Sequence, residues 1–162
     1  MERTEHSWLG SALSLGLMLA LAVVPLPALV APFRPDWVAV VLIYWSLAAP
    51  RRFSLLTAFW MGIALDTLTG ALLGQHALAL LLVVYLAEHF YLRVRVFPVS
   101  QTALTVLILL SLYEFTLFWI DGVAGRTVPL IERWAPPLTG AAVWIVMAAM
   151  FGRGRREARA RI

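Results

Sequence analysis

Long stretches without a charged side chain divide this chain. With histidine counted as neutral they cover 6–33, 67–87, 96–113 and 134–152, each reaching the length of about 18 residues that marks a candidate membrane helix. Two shorter apolar runs lie between the first and second. One covers 37–50, bounded by Arg34-Pro35-Asp36 and Arg51-Arg52; the other covers 53–65 and stops at Asp66. The pattern predicts six helices over about 8–25, 36–49, 53–72, 76–92, 99–120 and 134–152. The second is the short one: fourteen residues rise only about 21 Å, against a hydrocarbon core of about 30 Å. If 37–50 dips into the membrane and returns, five spans remain.

Composition agrees with the pattern. Apolar residues make up 62% of the chain even without glycine, against roughly 45–50% with glycine included in an average soluble domain. Charged residues make up 14%, too few to coat a soluble surface of this size. The expected class is an all-α integral membrane protein, a compact bundle of about six transmembrane helices. Residues 1–152 form a single transmembrane domain and 153–162 a basic cytoplasmic tail.

Charge placement orients the bundle. Every basic residue is arginine, and the net charge is +4. With the N-terminus inside, Arg3, Arg51, Arg52, Arg93, Arg95 and five arginines of 153–161 face the cytoplasm, and Arg34, Arg126 and Arg133 lie outside. This bias of 10 to 3 favours an N-in, C-in chain. The five-span arrangement gives the same ratio with the N-terminus outside, so charge leaves the helix count open. Trp8 and Tyr91 fall at inner boundaries, and Trp37, Trp119 and Trp134 at outer ones, where amphipathic rings settle. The terminal arginines follow an apolar run and suit anionic lipid headgroups; with no soluble basic groove, nucleic acid is not expected as a partner. The first span reads as a retained helix. Glu2 and Glu5 weaken the basic start of a cleavable signal, and cleavage after Leu29-Val30-Ala31 would leave Pro32 leading.

Ionisable groups inside a membrane are costly and mark places to look for chemistry. Asp66, Glu88 and Glu114 are the candidates. Gly62, Asp66, Gly70 and Gly74 recur every four residues, which on a helix makes one face of minimal side chains with a single carboxylate. Such a stripe suits close helix packing and, alternatively, a proton or ligand site. Glu88 lies near Arg93 and Arg95 and can snorkel to the interface. Glu114 is expected to be protonated or paired with a neighbouring helix. The three carboxylates read as isolated groups, too scattered for a relay. His6, His76 and His89 do not form a paired-histidine metal motif, and no cysteine is present. A lone intramembrane aspartate does not make an aspartyl dyad. No cofactor, metal site or catalytic residue is expected.

The ordered series Phe33-Arg34-Pro35-Asp36-Trp37, Ile43-Tyr44-Trp45, Gly62…Asp66…Gly70, Gly74-Gln75-His76-Ala77-Leu78 and Arg93-Val94-Arg95-Val96-Phe97-Pro98 resembles MreD, the rod shape-determining inner-membrane family of bacteria. The resemblance is clearest over about 30–120. It implies a non-enzymatic, multi-pass subunit of the elongation machinery in the bacterial inner membrane. Its implied partner is an MreC-type single-span scaffold, beside a RodA-type polymerase and a class B transpeptidase during side-wall peptidoglycan synthesis. The family is similar in architecture to six-helix substrate-binding subunits of vitamin importers. Arg34, Pro35, Asp36 and Trp37, together with Gly62, Asp66, Gly70 and Gly74, become candidate helix-packing or partner-contact sites. An intramembrane carboxylate in a compact bundle also leaves a second reading, a small-molecule transport or substrate-binding subunit.

Overall fold

A computed structural model of the chain describes residues 8–48, 55–94 and 96–160. Among them are six α-helices: α1 (Trp8–Val23), α2 (Trp37–Ala48), α3 (Leu55–Thr69), α4 (Gln75–Val94), α5 (Val99–Val123) and α6 (Leu130–Ala160). A 3-10 turn (Ala31–Phe33) links α1 to α2, and the described residues contain no strand. The all-helical class and the six elements predicted from the apolar runs are present. Arg3, Arg51, Arg52, Arg95 and Arg161, which carry part of the charge bias, lie outside the described residues.

Local chemistry sets the boundaries. Pro25 and Pro27 follow α1, and Pro35 stands just ahead of α2, where the restricted backbone before a proline disfavours helix. The predicted third helix runs to 72, but α3 stops at Thr69. Gly70 takes φ +67°, and the Ala71 amide donates to the Asp66 carbonyl at 3.1 Å. That six-to-one hydrogen bond is a Schellman closure. The same closure ends α5, with Gly125 at φ +70° and the Arg126 amide on the Asp121 carbonyl at 2.8 Å.

The face expected of Gly62, Asp66, Gly70 and Gly74 therefore ends at Asp66: Gly70 and Gly74 (φ +95°) belong to the turn. Gly62 does the packing. A Cβ there would stand 2.9 Å from the Ala77 Cβ and closer still to the Ala77 backbone, so α3 and α4 meet backbone to backbone.

The short α2 sits at the centre. Val38, Ala39, Val40, Val41, Leu42 and Ile43 are each at most 2% exposed, and Ser46 is fully buried with its hydroxyl on the Leu42 carbonyl at 2.8 Å. A helix apolar on every side is stable only when surrounded, and α2 packs against α1, α4, α5 and α6. Near its far end the Trp45 indole Nε1–H donates to the Ser14 hydroxyl of α1 at 3.2 Å.

The outer helices have the opposite arrangement. On α5, Val106, Leu110, Tyr113 and Leu117 face inward, whereas Leu104, Ile108, Phe115 and Trp119 are each more than half exposed. An apolar outward face of that length is normal in lipid and rare on a soluble monomer. Both α4 and α5 are long and apolar enough to cross a membrane.

Candidate functional site

Charged side chains gather where α3 and α5 end and where α2, α4 and α6 begin. Asp66 lies in the last turn of α3 and is 1% exposed. Its Oδ2 accepts the Gly74 amide at 2.7 Å. Its Oδ1 accepts the His76 amide at 2.9 Å and lies 2.7 Å from the His76 ring Nδ1. The first amides of a helix have no partner within it, and the positive end of the helix dipole favours an anion there. Asp66 thus caps α4 from α3. With Nδ1–H donating to the carboxylate, the imidazole is held in place by the same group.

Asp121 holds the matching position on α5, but takes side-chain donors in place of helix amides. It too stands four residues before a Schellman glycine, and its Oδ1 accepts the Gln75 side-chain amide of α4 at 2.9 Å. Its Oδ2 accepts from Arg133 NH2, and Arg133 NH1 donates to Glu114 Oε2 at 3.1 Å. Arg133, Glu114 and Asp121 are each at most 6% exposed. One guanidinium therefore clamps two carboxylates of α5 from the first turn of α6, using the planar fork that suits arginine to this role.

Asp36, in the loop ahead of α2, brings a further carboxyl beside Glu114. Arg34 donates from NH2 to the Leu21 carbonyl, which fastens this loop to the end of α1. Pro35 and Trp37 complete the wall of a cavity of about 190 Å³ between this loop, α1, α3, α4 and α5. Arg34, Asp36, Thr69, His76 and Tyr113 give it a polar lining, and Ala22, Val38 and Leu65 an apolar one. Tyr113 is 1% exposed, and its ring lies 6.2 Å from the His76 ring.

The structure thus brings Arg34, Pro35, Asp36 and Trp37 to the end of the bundle that Asp66 and Gly74 also occupy. Gly62 lies deeper on α3, and Gly70 is exposed in the turn. Glu114 is paired with a neighbouring helix, one of the two states expected of it, through Arg133 of α6; what is corrected is the isolation of the carboxylates, since Glu114 and Asp121 share that arginine in a buried ionic cluster. The fifth and sixth helices also run further than the predicted 120 and 134: α5 reaches Val123 and α6 begins at Leu130. Asp121 is therefore in α5 and Arg133 in α6, and the two pair across the helices. Gln75, Asp121 and Arg133 were missed as site residues. The available signals were Glu114 and Asp121 seven residues apart on one face, and the shared Asp-x-x-x-Gly spacing at 66–70 and 121–125.

Glu88 keeps its separate position on α4. It is half-buried, with one carboxylate oxygen lacking a hydrogen-bond partner among the described residues. No group of three or more histidine, aspartate or glutamate side chains among the described residues is arranged to hold a metal ion.

Comparison with known proteins gives one consistent answer. The family model for the rod shape-determining protein MreD matches residues 2–151. The rod shape-determining protein MreD of Haemophilus influenzae is 29% identical over 105 residues, which cover 65% of this chain and 65% of that protein. The matched part is thus just under two thirds of the relative's length. No solved structure matches. With nearly its whole length under that family model, the chain belongs to the MreD family of rod shape-determining proteins.

Proposed function

We propose that this chain is a non-enzymatic scaffold subunit of the bacterial elongation complex, crossing the inner membrane six times with both termini in the cytoplasm. It binds an MreC-type single-span partner and supports a RodA-type polymerase and a class B transpeptidase in side-wall peptidoglycan synthesis. The basic terminal segment rests on anionic lipid. Family membership carries this reading. The geometry supports it, because the buried charges are engaged with one another and with helix ends: Arg133 joins Glu114 and Asp121, and Asp66 caps α4. Groups so engaged hold helices in register.

The test is pull-down in mild detergent with depletion in a rod-shaped cell. The expected result is co-purification of an MreC-type protein, and rounding of the cells. An empty pull-down together with unchanged rods overturns the proposal. Reporter fusions at the two termini check the topology, with both expected in the cytoplasm.

A further inference from the structure

The cavity beside α2 is lined by a guanidinium and a carboxyl group that are not bonded to each other. Arg34 and Asp36 both line it, yet no ion pair joins them among the described residues. Arg34 spends one N–H on the Leu21 carbonyl, and a guanidinium has five. One oxygen of Asp36 is buried without a hydrogen-bond partner among the described residues. Its neighbour Glu114, already engaged by Arg133, is hydrogen-bonded to Asp36, which leaves the second Asp36 oxygen as the acceptor without a donor.

Burying an acceptor oxygen without a donor is costly, so a donor is the group this corner is built to receive. The Arg34 side offers N–H donors to an anion. The volume, about 190 Å³, corresponds to about six waters at roughly 30 Å³ each, and is below the roughly 300–1,000 Å³ of pockets that take drug-sized molecules.

We propose that this cavity binds a small zwitterionic head, its ammonium on Asp36 and its anionic group toward Arg34. Two sources share that chemistry: the phosphoethanolamine head of a membrane phospholipid, and a free zwitterion such as phosphoethanolamine or an amino acid. The cavity lies at an end of a bundle whose outward faces are apolar, where phospholipid heads are the most abundant candidates. The site is independent of the scaffold reading, since binding is read on the purified chain alone.

The experiment uses the full chain in nanodiscs containing either phosphatidylethanolamine or phosphatidylglycerol. Native mass spectrometry follows retained lipid, and thermal unfolding with and without free phosphoethanolamine or glycine follows the free source. The variants are Arg34→Gln, Asp36→Asn and Ala22→Leu, the last filling the cavity without changing charge. Retained phosphatidylethanolamine, reduced about tenfold in all three variants, supports the lipid source. A melting shift of several degrees with a free zwitterion, lost in the same variants, supports the free source. Equal retention of both lipids in every variant, or no retention and no shift, overturns the proposal. Overturning it also is retention by Ala22→Leu equal to that of the parent chain, because Ala22→Leu leaves both charges in place.

Discussion

The two ends of the bundle handle charge in opposite ways. At the end where α2, α4 and α6 begin, Asp66, Asp121, Glu114 and Arg133 are buried and bonded to one another, to a histidine, to a glutamine and to helix amides. At the end where α4 finishes, Arg93 is exposed, and Glu88 stands half-buried with no cross-helix ion pair among the described residues. Both ends lie at the limits of apolar helices, so position alone does not decide the outcome. Among the described residues, the first end has charges on the inward faces of three converging helices, and the second has an exposed arginine and a half-buried glutamate on α4. Inward charge demands partners and, once paired, fixes which helices are neighbours.

Mutations at the two ends test that contrast. Arg133→Met carries the largest expected effect, because it leaves Glu114 and Asp121 buried without their cation; breaking such a pair costs about 3–5 kcal/mol. Chemical or thermal unfolding in detergent measures it, and a loss below 1 kcal/mol, on the scale of a solvated surface charge, would place the cluster in a far more solvated setting than the structure does.

Asp66→Ala is next. It strips the α4 amides of Gly74 and His76 of their acceptor, with an expected loss of about 1.5–3 kcal/mol. Hydrogen exchange at the first turn of α4 should speed up in this variant while the last turn is unchanged. Gly62→Ala is expected to cost about 1–3 kcal/mol by forcing α3 off α4 at Ala77. If the melting point rises instead, the backbone approach is not close. Arg93→Gln, at the other end, should stay within about 0.5 kcal/mol of the parent chain.

Much of the fold was legible in the sequence, because lipid-length apolar runs and flanking prolines are local signals. The centrality of α2 was not. A short run such as 37–48 reads as an incomplete span until its neighbours are known, and only burial on all sides explains why no polar face is present. The site was legible in halves. Asp66 and Asp36 stood out by position. A cross-helix partner was one expectation for Glu114, but its identity was not legible, because Arg133 is nineteen residues away on another helix. Gln75 and Asp121 meet across forty-six residues, a pairing that no local pattern encodes. The four-residue glycine spacing was misleading for a physical reason: at Gly70 it marks the residue that ends the helix and not the continuation of a face.

The central claim is that Arg133 and Glu114 act as one buried structural unit joining α6 to α5. The most direct measurement is the double-mutant cycle of Arg133→Met and Glu114→Leu, read as unfolding free energy in detergent. The account expects each single change to destabilise strongly, the pair to recover part of the loss, and a coupling of at least about 1.5 kcal/mol. Additive losses with coupling near zero would contradict it.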